Sequence, residues 1–267
     1  MTGPRLFATL DGYGVEGGYD GLVGPATCYA PSIALGRLSG PDPVGIFDEY
    51  EAVLDAAAGL GLDGVRLSVE WTRVEPRRGV VDDAALARYA AVVDHARSLR
   101  LAVTVVLFDA VWPLWSGLEA WLLPWVEPIA IAHGRRVAEA LANAHEIIIA
   151  PRAADLVNAG FIEASAPPFR RRAYQDATSA RSALARIVSA LAEDDAIARR
   201  LSGSWREMTL ETSPAGAAAI ASNGVGELHL RSLVAGTGPT AARSGLLARR
   251  DGRWVPTEAS ALLGLLR

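Results

Sequence analysis

Three short stretches of this chain set charged side chains at every second position. Side chains alternate across a strand. "DGVRLSVEW" therefore carries Arg66, Ser68 and Glu70 on one face, and "WREMTLET" carries Glu207, Thr209 and Glu211. "VGELHLRSLVAG" carries Glu227, His229 and Arg231. Asp109 closes a further apolar run, "LAVTVVLFD", and Arg152 follows three isoleucines in "HEIIIAPR". Arg66, Arg152 and Arg231 could hold a carboxylate or phosphate through paired N–H donors. His229, Glu211 and Asp109, with Glu70 beside them, could move protons near neutral pH. Such a set suits an isomerase, lyase, cyclase or hydrolase acting on a small polar, anionic molecule.

The elements that must position these residues alternate. Short apolar strands are separated by longer amphipathic helical stretches, among them "VGIFDEYEAVLDAAAGLGL" and "DDAALARYAAVVDHARSLR". The second has an acidic start and a basic end, matching its dipole. Strand, helix, strand in this order predicts a parallel sheet with right-handed crossovers. The fold expected is α/β, a TIM-type (β/α) barrel forming a single domain over 1–267. Six strands are legible, two short of the usual eight, and the chain ends in a hairpin and a helix. In such barrels the strand C-termini carry the active site. That places Glu70, Asp109, Arg152, Glu211 and Arg231 around one mouth, with His229 beneath. No GxGxxG opens a helix after the first strand, and no GxxxxGK[ST] occurs.

Composition narrows the function further. The net charge is −4, which gives no reason to expect a nucleic acid or an anionic membrane as partner. All 26 basic residues are arginine, so a Schiff base on lysine is excluded. Cys28 is the single cysteine, so there is no internal disulfide and no Cys-rich zinc site. No two histidines have metal-ligand spacing, and neither a metal nor a cofactor is expected. The N-terminus lacks a signal-peptide pattern, and no apolar run reaches membrane-spanning length. A cytoplasmic protein with a small-molecule ligand is the expectation.

"GLDGVRLSVEWTRVEP" at 61–76 resembles the second-strand motif G-x-x-x-x-R-x-S-x-x-W-x-R-x-x-P of family 1 glycoside hydrolases, with Arg66, Ser68, Trp71, Arg73 and Pro76 in place. "GYGVEGG" at 12–18 is similar to that family's "AYQVEGG", and "LFDAVWPLW" to its "LHHWDLPQW". Trp121 matches the tryptophan of its "GGW", and "RSGLLARRDGRWVPTEAS" resembles its closing segment. The resemblance implies a shortened β-glucosidase barrel, and it fails at the sugar pocket. The sugar-binding glutamine is Gly14 here, the third-strand histidine is Asp109, and the Asn-Glu acid/base pair is Pro151-Arg152. The "WS" of the last strand is Arg231-Ser232, and the nucleophile motif has two poor counterparts, "IASNG" with Ser222 and "TLETS" with Glu211. A retaining glycosidase needs two facing carboxyl groups, and arginine cannot serve as the acid. Ordinary β-glucosidase activity is not expected.

Three readings stay open: an enzyme repurposed for a small anion, a pseudoglycosidase that binds a sugar or protein without turnover, and a glycosidase with relocated carboxylates. Against all three stands a structural ion-pair network filling the barrel. Desolvating many charges is costly, and Val, Ile and Leu would fill the space more cheaply, which favours a ligand site. Trp121, with Trp112, Trp115 and Trp125, could offer a substrate-binding aromatic platform, or simply pack the loop. If the missing strands left the sheet open, a homodimer would be needed to cover its edge.

Overall fold

The computed structural model describes residues 4–21, 24–40, 45–171, 174–202, 205–209, 227–234 and 245–266. The six expected strands form: β1 (Arg5–Leu10), β2 (Gly64–Ser68), β3 (Ala102–Val106), β4 (Glu146–Ile148), β5 (Trp205–Thr209) and β6 (Glu227–Arg231). They make one sheet in the order β4-β3-β2-β1-β6-β5, with every pair parallel. Parallel neighbours need long crossovers, and helices supply them. Tyr50–Gly59 lies between β1 and β2, Asp83–Ser98 between β2 and β3, Val126–Ala140 between β3 and β4, and Tyr174–Ala192 between β4 and β5. The Asp83–Ser98 helix starts where Asp82 accepts the Ala85 amide at 2.9 Å. His95 and Arg97 occupy its last turn, as the charge pattern predicts. Among the described residues no helix is long and apolar enough to cross a membrane.

Among the described residues six strands make the sheet, and its β4 edge is bonded as well. The Ile147 amide donates to the Arg200 carbonyl at 2.6 Å, and the Ser202 amide donates to the Ile147 carbonyl at 3.0 Å. The chain that bonds to the outer edge of β4 at 200–202 enters β5 at Trp205, and β5 pairs with β6. Residues 200–202 thus bond the β4 edge, and 205–209 pair at the opposite edge of the sheet.

Alternation sorts the strand residues into two layers. Leu6, Ala8 and Leu10, Val65, Leu67 and Val69, Val103, Val105 and Leu107, and Leu228 and Leu230 join the apolar core against the helices. Burying each such side chain is worth about 1.5–3 kcal/mol. The opposite face, with Phe7, Thr9, Arg66, Ser68, Glu227 and His229, fills the barrel interior and is just as deeply buried. At the strand N-terminal end that filling is specific. Arg5 pairs with Glu227 at 2.7 Å and lies over the Phe7 ring, which stacks on His229 with centroids 4.8 Å apart. The expected terminal hairpin is β7 (Leu247–Arg250) and β8 (Arg253–Pro256). It turns at Asp251-Gly252, both with positive φ, the backbone that a two-residue hairpin turn requires.

The tryptophans after β3 form a packed cluster outside the barrel. Trp71 meets Trp115 and Trp121 and stacks on His133 at 5.2 Å. His133 is fully buried, and neither ring nitrogen has a partner among the described residues. Burial, with Arg136 adding to it, pushes its pKa down to about 3. The folded state refuses a proton that the unfolded chain takes up below pH 6.5, so stability present above that pH is lost as the pH falls towards 3. His133→Phe is expected to relieve this by about 1.4 kcal/mol per pH unit below 6.5. Urea unfolding at pH 7 and pH 4.5 measures it; an equal loss in wild type and variant would show that His133 carries no such cost.

Candidate active site at the strand C-termini

β1, β2, β3, β4 and β6 deliver their last inward residues to one place. Asp109 lies three residues past β3, and Arg152 four residues past β4. The Arg152 Nε and a terminal nitrogen both donate to Asp109 Oδ1, at 2.9 and 2.6 Å. The Ser68 hydroxyl donates to Asp109 Oδ2 at 2.9 Å. Burial raises the Asp109 pKa, but Arg152, Arg66 and the Ser68 bond outweigh it and hold the carboxyl below its ordinary value. Asp109 is therefore ionised at pH 7. The side chains that follow β3 and β4 at the mouth thus form one ion pair.

Arg152 and Arg231 both line a cleft of about 430 Å³, with Tyr29, Trp112, Asp155 and Ser165 among its walls. Trp112, not Trp121, is among the residues lining it. Trp121 is 3% exposed and lines a separate cleft against the Tyr174–Ala192 helix. The Trp121 ring packs against Trp71 and Trp112.

Glu70 follows β2 and is 2% exposed. Its Oε1 accepts the Tyr13 amide at 2.9 Å. Burial, then the charges of Glu16, Asp11 and Asp109, hold its carboxyl well above the usual range. Gly12 makes this contact possible. A Cβ there would lie 2.5 Å from the Glu70 Cγ and 2.9 Å from the Ser68 carbonyl. Gly12→Ala is expected to cost about 1–3 kcal/mol through overpacking, read as a lower urea midpoint; an unchanged midpoint would show that the turn can shift freely.

His229 is on the inner face as expected and fully buried. Its Nε2 lies 3.3 Å from Glu227 Oε2. Burial, then Arg66 and Arg5, push its pKa down to about 3. The expectation that it titrates near neutral pH is corrected: the imidazole stays neutral there because the interior excludes water and is already cationic. Arg66 is fully buried on the same face, opposite Thr9 and Thr104. It acts on the mouth through its charge and does not line the cleft. Glu211 lies outside the described residues.

Two carboxylates escaped the sequence reading. Asp11 continues the inner face of β1 after Phe7 and Thr9, the same count that selects Arg66 and Glu70. It is 6% exposed, and its Oδ2 is buried with no hydrogen-bond partner among the described residues. Burial and Asp109 raise its pKa to about 7, against the lowering effects of Arg152, Arg231 and Arg66. Glu16 lies under the mouth. Its Oε1 accepts the hydroxyls of Tyr50 and Tyr89, both at 2.7 Å. Its Oε2 accepts Arg73 Nε at 2.9 Å and the Tyr19 hydroxyl. Arg73 also donates to the Gly17 carbonyl at 2.6 Å, tying the loop after β1 to the turn after β2. No group of three or more His, Cys, Asp or Glu among the described residues could hold a metal ion.

No family model matches the chain, and no curated protein matches it. Solved structures do. A β-glycosidase from Pyrococcus horikoshii superposes with a TM-score of 0.66 at 18% identity, over 77% of this chain and 48% of its own. A family 1 β-glucosidase from Thermotoga maritima gives 0.65 at 17%, over 78% and 48%. An aphid myrosinase gives 0.65 at 14%, over 81% and 51%. The chain thus shares the barrel fold of these proteins, and it spans about half their length.

Proposed function

We propose that the mouth of this barrel binds a small polar anion and carries out acid–base chemistry on it, in place of retaining glycoside hydrolysis. The observation that carries this reading is the meeting of Arg152 and Arg231 in one cleft at the strand C-termini. Guanidinium groups present paired donors that match carboxylate and sulfate oxygens. Asp109, Asp11 and Glu70 supply a carboxyl held below its ordinary pKa, one raised to about 7 and one held well above the usual range, within the same cluster. Environments that push neighbouring carboxyl groups apart in this way are the mark of acid/base sites. Removal of the glutamate at Arg152 disfavours hydrolysis by the usual pair of carboxylates.

A second reading, a barrel that binds without turnover, is favoured by one feature. Asp109 and Glu70 are both engaged, by Arg152 and by the Tyr13 amide, so neither is free to approach a substrate without rearrangement. Calorimetric titration with sulfate and malonate tests the shared premise. Arg231→Ala is expected to weaken binding about 10–100-fold, the worth of one or two hydrogen bonds to a charged group. Unchanged affinity in Arg231→Ala would place the anion elsewhere.

A further inference from the structure

The cleft that Arg152 and Arg231 line is not purely cationic: Asp155 lines it as well. Arg152 immediately precedes the short helix Ala153–Val157, and Asp155 falls in its first turn. Side chains three residues apart on a helix are neighbours, about 5–6 Å between Cβ atoms, so an ion pair between these two would be the ordinary arrangement. It does not form. Arg152 turns its Nε and a terminal nitrogen to Asp109. The exposed Asp155 side chain makes no hydrogen bond or ion pair among the described residues. An unpaired carboxylate on the wall of an anion site repels a ligand that is only an anion. It attracts one that carries a cation beside its anion, and the one-turn spacing of Arg152 and Asp155 sets the two opposite charges side by side. Two further features narrow the ligand. Tyr29 lines the cleft at 4% exposure, and its hydroxyl has no hydrogen-bond partner among the described residues; it can donate to a bound carboxylate. Leu156, Ala159 and Ala166 add an apolar wall, and the volume of about 430 Å³ suits a small ligand.

We infer that the ligand of this cleft is a zwitterion, an α-amino acid with an apolar side chain, whose carboxylate meets Arg231 and Arg152 and whose ammonium meets Asp155. The inference rests on the anion-binding reading above and names the class of molecule that carries the anion. The ammonium and carboxylate of an α-amino acid sit on one carbon, as the neighbouring Arg152 and Asp155 require. Its side chain then lies along Leu156, Ala159 and Ala166.

Calorimetric titration at pH 7 tests this with two matched pairs of probes: leucine against 4-methylpentanoate, and phenylalanine against 3-phenylpropanoate. Each pair differs only by the ammonium group. The wild type should bind at least one of the amino acids about tenfold or more tighter than its partner acid, the worth of one hydrogen-bonded charge. In Asp155→Asn the two members of that pair should bind alike, and Arg231→Ala should weaken both. Acids that bind as tightly as the amino acids, or sulfate and malonate binding with no binding of either amino acid, overturn the zwitterion and leave the anion reading standing. A preference for the amino acid that survives Asp155→Asn overturns the role of Asp155. No binding of any of these six probes overturns both readings. The matched pairs use the unaltered protein, so they decide between an anion and a zwitterion even if a variant folds poorly.

Discussion

Arg152→Ala is expected to lower stability at pH 7 by about 3–5 kcal/mol. The cause is Asp109, not the lost arginine contacts themselves. The Asp109 side chain is 4% exposed, and its ionised state is held by Arg152 and Arg66 against burial. Without Arg152 a buried carboxylate is left half compensated, and its pKa must rise. A raised carboxyl pKa means that stability is retained while the group is protonated and lost as the pH climbs through the new value. The deficit should therefore shrink as the pH falls towards 4. Asp109→Asn should restore much of it in the double variant, because the two substitutions share one interaction and their effects cannot add. Urea unfolding of the four proteins at pH 4.5 and pH 7 measures this. A deficit under 1 kcal/mol at pH 7, unaltered by Asp109→Asn, would show that the pair is not the reason an arginine occupies this place.

Glu16→Ala should be about as damaging. Its carboxylate is fully buried and accepts three tyrosine hydroxyls and Arg73. Burial, then the charge of Glu16, keeps the pKa values of Tyr19, Tyr50 and Tyr89 well above the ordinary one, so all three remain donors. Arg73 is also sandwiched by the Tyr19 and Phe47 rings, at 4.5 and 3.9 Å from its guanidinium carbon. Deleting the acceptor strands an arginine and three hydroxyls in the interior. The expected loss is about 3–5 kcal/mol, a large share of the roughly 5–15 kcal/mol by which domains are ordinarily stable. Glu16→Gln should lose less, since the amide still accepts two of the bonds. Equal and small losses in both variants, read from urea midpoints at pH 7, would mean that the network is solvent-relaxed rather than structural.

This network explains why the 61–76 stretch is the most legible part of the chain. Arg73 and Trp71 are fixed by what they must touch: Arg73 reaches Glu16, and the Trp71 indole donates to Glu75 at 3.1 Å. Residue types with such narrow jobs survive large losses elsewhere in a chain. The strands were legible because period-two alternation and apolar runs are enough to define them. The bonding at Ile147 was not, because chain that bonds to one edge before its strand pairs at the other leaves no pattern of its own. Asp11 was missed because the Gly-rich residues after it mark a loop. His229 was legible in position but not in charge state. The sequence shows a histidine between a glutamate and an arginine, and only burial decides that it stays neutral.

The most direct measurement of whether this mouth is an anion site is a thermal-shift screen with two ligand sets, neutral sugars and glycosides in one, small carboxylated and phosphorylated metabolites in the other. Stabilisation by the anionic set alone is the expected result, with the shift lost in Arg231→Ala. Stabilisation by neutral glycosides alone would contradict it and return the barrel to sugar chemistry.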